Sequence, residues 1–169
     1  LYTLCAGISP YSTIPITLDV GTDNEERLAD PLYLGLRHER IRGENYQTFV
    51  DDFVAAVKEV FPNVLLQWED FLKGNALKQL ARFRDELCTF NDDIQGTAAV
   101  VHAGLLGALR QAGRSLVNER VAVLGAGAAG VGVAAAIMSA MQEEGLEFQE
   151  ASARVMVFDS RGLVLTDRR

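Results

Sequence analysis

The chain has 169 residues, 49% of them apolar and 23% charged, with a net charge of −7; this is the composition of an ordinary soluble globular protein of one domain or parts of two, and it excludes disordered and collagenous classes. No Lys/Arg-rich run appears and no apolar stretch reaches about 18 residues, so neither nucleic-acid binding nor a membrane span is expected. Without a basic leader the reading is cytoplasmic, or mitochondrial matrix if the source is eukaryotic.

Taken in chain order, "IPITLDVG" (14–21) reads as a strand, and Asn24-Glu25-Glu26 as the acidic start of a short helix. The segment 44–61 carries apolar residues at Tyr46, Phe49, Val50, Phe53, Val54, Val57 and Val60. That spacing predicts an amphipathic helix, and Pro62 follows its end. A strand is expected within 63–71, a helix over 76–87 and a very short strand at 88–90. A helix over 97–113 follows, with Thr97 as its N-cap. "RVAVLGAG" (120–127) is a strand running into a glycine turn, 128–145 a helix of small and apolar residues, and 153–160 another strand. Alternating strands and helices predict an α/β protein with a largely parallel sheet. Cys5 and Cys88 are too far apart for a CxxC metal site, and buried free thiols are expected. The chain opens without Met and closes at "LTDRR", which reads as a piece of a longer protein.

Gly125, Ala126, Gly127, Ala128, Ala129 and Gly130 form a GxGxxG pattern. Because a strand precedes it and a helix follows, it is a dinucleotide-binding candidate. The first glycine serves the tight turn, the second admits a pyrophosphate, and the third lets helix and strand pack closely. Asp159 ends the next strand, where an acid holds ribose hydroxyls, although it lies 29 residues after Gly130 against the roughly 20 usual. The acidic connector 142–152 accounts for the excess. Asp159 favours NAD over NADP, while Arg161 nearby leaves a 2′-phosphate acceptable.

Glu69 and Asp70 end one strand, and Asp92 and Asp93 end another. In an open parallel sheet, ligands bind beyond the carboxyl ends of strands. Several carboxylates in one cleft repel, and a hard divalent cation such as Mg²⁺ or Mn²⁺ relieves the repulsion. From spacing alone, the competing reading is that these acids cap the following helices or face water.

Six motifs in order carry a resemblance: "LDVGTDNEERLADPLYLGLR" (18–37), "RIRGENY" (40–46), "QWEDF" (67–71), "FNDDIQGTAAV" (90–100), "GAGAAGVG" (125–132) and "FDSRGL" (158–163). Together they resemble the malic enzymes, in the large, eukaryote-like branch that also occurs in bacteria, and they span essentially the whole chain. The resemblance implies oxidative decarboxylation of L-malate to pyruvate and CO₂, with NAD or NADP and Mg²⁺ or Mn²⁺. It implies Glu69, Asp70 and Asp93 as the metal ligands, with Asp93 also beside the nicotinamide and catalytically essential. It divides the chain into residues 1–91, part of a parallel-sheet malate- and metal-binding domain, and 92–169, the first part of a Rossmann-type dinucleotide-binding domain. A homodimer or homotetramer is implied.

The family's proton-transferring Lys and catalytic Tyr would lie before Leu1, and its later asparagines beyond Arg169. No general base or acid is therefore assigned to Tyr2, Tyr11, Lys58 or Lys73, and this stretch alone is not expected to catalyse. Two other functions stay open at this point: a malolactic enzyme, which holds NAD and releases lactate, and a noncatalytic nucleotide-binding module. His102 is expected to be packed rather than catalytic, Trp68 to be core or cleft wall, and Arg37, Arg40 and Arg42 to form a solvated or ion-paired cluster.

Overall fold

The structure is a computed structural model that describes residues 2–165. The chain forms two compact units, 1–62 and 63–169.

The described residues of the first unit form three α-helices, α1 (Tyr2–Ala6), α2 (Glu25–Ala29) and α3 (Gly43–Val60), and a short 3-10 turn, Pro10–Ser12, joined by loop. In α3, Tyr46, Val50, Val54 and Val57 are buried, one stripe at the three-to-four-residue spacing of a helix face. Asn24 caps α2, its Oδ1 accepting from the Arg27 amide at 3.2 Å. The strand expected at 14–21 does not form. Asp19 explains part of this: its carboxylate accepts from the amides of Gly21 (2.9 Å) and Leu36 (2.8 Å). A short acid that captures nearby amides competes with strand pairing. Among the described residues, isolated backbone bonds tie the end of this segment and Thr22 to 38–41, from Thr22 N–H to the His38 carbonyl and from Ile41 N–H to the Val20 carbonyl.

Arg37 donates to the carbonyls of Leu28, Asp30 and Tyr33, and Arg42 pairs with Asp23. Two of the three arginines therefore staple the loop internally. Gly21, at φ 81°, lies where a Cβ would come 2.6 Å from the His38 carbonyl oxygen, so glycine is required there.

In the second unit, β1 (Leu66–Trp68) and β2 (Thr89–Asn91) pair in parallel, with Leu66 opposite Thr89 and Trp68 opposite Asn91. α4 (Lys73–Phe83) connects them, starting and ending earlier than the sequence predicts. Trp68, 2% exposed, stacks on Phe83 at 6.0 Å and meets Phe71 edge-on at 5.4 Å. Beyond β2 a single π turn, Asp92–Gly96, leads without a break into α5 (Thr97–Ala112). Gly113, at φ 66°, ends α5 in the left-handed cap.

β3 (Val121–Leu124) then runs into the glycine turn and α6 (Ala128–Glu143). The connector 142–152 contains its own helix, α7 (Phe148–Arg154), opened by a reciprocal Glu147–Glu150 cap. β4 (Val155–Asp159) pairs in parallel with β3, and β5 (Gly162–Leu163) folds back antiparallel on β4, in the order β3-β4-β5. The core of this half lies between α6 and its neighbours, around Leu116, Ile137 and Met141, each at most 2% exposed. The expected α/β architecture is present, with β5 as an antiparallel addition.

Cys5 and Cys88 are free, as expected, but both are exposed rather than buried.

Candidate active site

The parallel register decides where the acids go. Trp68 and Asn91 are paired last residues of neighbouring strands, so Glu69-Asp70 and Asp92-Asp93 leave the same end of the sheet side by side. That end is the carboxyl end, where open α/β sheets bind ligands. Asp70 turns back with φ 59°, and its amide donates to Asp93 Oδ2 at 2.9 Å. Gln67 Nε2 donates to Glu69 Oε1 at 2.6 Å.

Glu69 holds its proton more tightly than an ordinary glutamate. The chief cause is partial burial of its carboxyl; the Gln67 bond works the other way, and the neighbouring Asp92 and Asp93 carboxyls add to the rise. Glu69 thus neighbours Asp92 and Asp93, and the Asp70 main chain lies against Asp93. Among the described residues no group of three or more His, Cys, Asp or Glu side chains is arranged as a metal cage. The donor set still suits a hard divalent cation, being all carboxylate oxygen and mutually repulsive.

Asn91 organises the second acid pair. It is fully buried, its Oδ1 accepts from the Ile94 amide at 3.0 Å, and its own amide donates to Gln95 Oε1 at 3.0 Å. Asn91, not Thr97, is therefore the helix cap; Thr97 is already helical and donates its amide to the Asp92 carbonyl. The helix begins one turn earlier than the sequence predicts, and that turn carries both aspartates, where amide dipoles favour negative charge. π turns of this kind recur at functional sites. Gly96 is part of the arrangement: a Cβ there would fall 2.0 Å from Asp92 Oδ1. Sequence reasoning gave no role to Asn91 or Gly96; the Asn-x-x-x-Gln spacing was the available signal.

The glycine turn fits a dinucleotide on observations of its own. Gly125 takes φ 115°, which disfavours side chains. A Cβ on Gly130 would sit 1.8 Å from the Gly125 carbonyl oxygen, so the third glycine lets helix and turn touch. A Cβ on Gly127 would meet nothing within 4 Å, leaving that face open for a ligand. Gly127 opens α6 without a side-chain cap, so the first-turn amides lack the intrahelical carbonyl partners that later amides have, the condition a helix-terminal phosphate site requires. Ala126 completes the turn. Leu124 pairs with Phe158, and the Gly125 amide donates to the Phe158 carbonyl at 2.8 Å. Asp159 therefore stands next to the turn, at the tip of the β4–β5 hairpin, with Oδ1 accepting from the Arg161 amide at 2.8 Å.

His102 lies on α5, half-buried, with its buried Nε2 lacking a hydrogen-bond partner, in keeping with a packing role. No helix among the described residues is long and apolar enough to cross a membrane.

The family model described as the malic enzyme N-terminal domain matches residues 1–84, and that described as the malic enzyme NAD binding domain matches residues 94–169. The NAD-dependent malic enzyme of Proteus mirabilis is 57% identical over 168 residues, which cover 99% of this chain and 30% of that protein. That of Erwinia tasmaniensis is 56% identical over the same span and shares. The chain thus spans 30% of the length of these relatives. Among solved structures, the Entamoeba histolytica malic enzyme superposes with a TM-score of 0.59 at 27% identity, covering 78% of this chain and 26% of that one. The Pyrococcus horikoshii malic enzyme gives 0.52 at 30% identity, covering 76% and 27%. With two models of one family matching nearly end to end, the chain belongs to the malic enzyme family, joining sequence of its N-terminal domain to sequence of its NAD-binding domain.

Proposed function

We propose that the complete protein oxidatively decarboxylates L-malate to pyruvate and CO₂ with NAD and a divalent cation, Mg²⁺ or Mn²⁺. The observation that supports this reading best is the pairing of Trp68 with Asn91, which sets two acid pairs side by side at one sheet end, beyond strands that the sequence separates by 23 residues. Glu69, Asp70 and Asp93 would hold the cation. When bound, the cation and the dinucleotide supply a Lewis acid for the C2 oxygen of malate and an acceptor for the C2 hydrogen with its electron pair. This chain's own residues bind and orient. Gly125–Gly130 seat the pyrophosphate, Asp159 takes the adenosine ribose hydroxyls, and Asn91 fixes the turn on which Asp93 rides. Asp159 disfavours a 2′-phosphate, which supports NAD over NADP, in agreement with the naming of the relatives. A boundary between the two family domains at Asn91/Asp92 belongs to the same reading, and the gap between the matched ranges, 1–84 and 94–169, is compatible with it. A cytoplasmic homodimer or homotetramer is carried over from the family likeness, and the 1–169 stretch alone is proposed to be inactive.

The test is turnover of L-malate by the complete protein with Mn²⁺ and NAD, read as NADH absorbance and pyruvate. NADH and pyruvate rising together is the expected result. Loss of malate with lactate and no net NADH would assign a malolactic enzyme, and no loss of malate would leave a nucleotide-binding module.

A further inference from the structure

Gly132 lies inside α6, two residues beyond the last glycine of the dinucleotide turn and therefore roughly 3 Å further along the helix axis. Alanine is the better helix former, so a buried mid-helix glycine has a packing reason. Here the reason is visible. A Cβ on Gly132 would stand 2.4 Å from the carbonyl oxygen of Ile94, 3.0 Å from its carbonyl carbon and 3.1 Å from its Cα. These are main-chain atoms, which do not swing aside as a side-chain tip does.

Ile94 is the central residue of the π turn, directly after Asp93. It is 6% exposed, and its amide is held by Asn91 Oδ1 at 3.0 Å. The turn is thus clamped between Asn91 on one side and α6 on the other. Asp93 in turn reaches the Asp70 amide from that clamped turn. Two positions back on α6, Gly130 makes the equivalent close approach to the Gly125 carbonyl oxygen. The first turns of α6 therefore press on the nucleotide turn at Gly130 and, from the other side of the helix, on the acid-bearing turn at Gly132.

We propose that Gly132 is a positioning residue: by letting α6 seat on the Ile94 backbone, it fixes the acid pair relative to the dinucleotide turn so that cation and nucleotide are held in register. The inference rests on the functional reading above. It predicts that two one-methyl changes, two residues apart on one helix, each weaken a different ligand. Gly132→Ala pushes the Asp93 turn away from Glu69 and Asp70, while Gly130→Ala pushes on Gly125.

The experiment measures Mn²⁺ binding by electron paramagnetic resonance and NAD binding by calorimetry on the complete protein, wild type and both variants, without malate. Gly132→Ala should weaken Mn²⁺ about tenfold or more, the cost usual when the support of a metal ligand is disturbed, and leave NAD affinity unchanged. Gly130→Ala should weaken NAD and leave Mn²⁺ affinity unchanged. Unchanged Mn²⁺ affinity in Gly132→Ala overturns the proposal, as does an equal loss of both ligands, which is what mere loosening of the fold would give. If Gly132→Ala does not fold, the wild type serves: NAD should tighten Mn²⁺ binding, and a Mn²⁺ titration indifferent to NAD overturns the linkage. Asp93→Asn is the separate control. Mn²⁺ binding that survives it intact removes the functional reading, and the inference falls with it.

Discussion

Asp70 is the one non-glycine residue with positive φ among those described. Left-handed backbone costs an L-residue about 1–2 kcal/mol, less for Asp and Asn. The hydrogen bond its backbone N–H donates to Asp93 Oδ2 holds it there. Strain kept at an acidic sheet end is a mark of function. Asp70→Gly is therefore expected to leave thermal stability unchanged or raised by about 1 kcal/mol while Mn²⁺-dependent turnover falls by two orders of magnitude or more, on the order of 3 kcal/mol of transition-state stabilisation; melting and kinetics on the complete protein check both. Gln79 makes a different point. It is fully buried, and neither Oε1 nor Nε2 has a hydrogen-bond partner. Burying such groups unpaired costs about 1–3 kcal/mol. Gln79→Leu, similar in volume, should raise the denaturation midpoint by an amount in that range, and a lowered midpoint would show that the amide is needed.

At the level of elements, the π turn is held by Asn91 at one end and Gly96 at the other. Removing an N-cap side chain costs about 0.5–2 kcal/mol. Asn91→Ala should lose that much stability in denaturant unfolding and lose Mn²⁺ affinity with it, because Asp93 rides on the same turn. The 18–42 loop is held by charge instead. Backbone bonds from Gly21 and Leu36 lower the Asp19 pKa below its ordinary value, and the Arg42 hydrogen bond does the same for Asp23. A depressed folded pKa gives stability that is complete above the unfolded carboxylate value of about 3.9 and is lost as pH falls through the folded one. Acid unfolding of Asp19→Asn should accordingly show a shallower fall in stability below about pH 4 than the wild type. These elements also show what was legible in the sequence. The α3 stripe and the β3–turn–α6 unit were, because helix periodicity and the glycine spacing are local signals. The missing strand at 14–21 and the early start of the α5 helix were not, because side chains settle both: Asp19 captures amides across 17 residues, and Asn91 caps a π turn that no periodicity announces. The acid pairs were visible as a pattern. Their meeting depends on the β1–β2 register, which only the fold supplies.

Across the whole chain, an acidic sheet end and a glycine turn share one compact unit, 63–169, with α6 touching the acid-bearing turn and the nucleotide turn in succession. The α7 helix accounts for the long spacing to Asp159 without displacing it, since β4 still pairs with β3 in full register. The central claim is that Glu69, Asp70 and Asp93 hold one divalent cation beside that turn. Its most direct test is Mn²⁺ titration of the complete protein against Glu69→Gln and Asp93→Asn, followed by paramagnetic resonance with circular dichroism to confirm folding. The account predicts one tight Mn²⁺ site in the wild type, weakened about tenfold to a hundredfold in each folded variant. A site of undiminished affinity in both variants would contradict it.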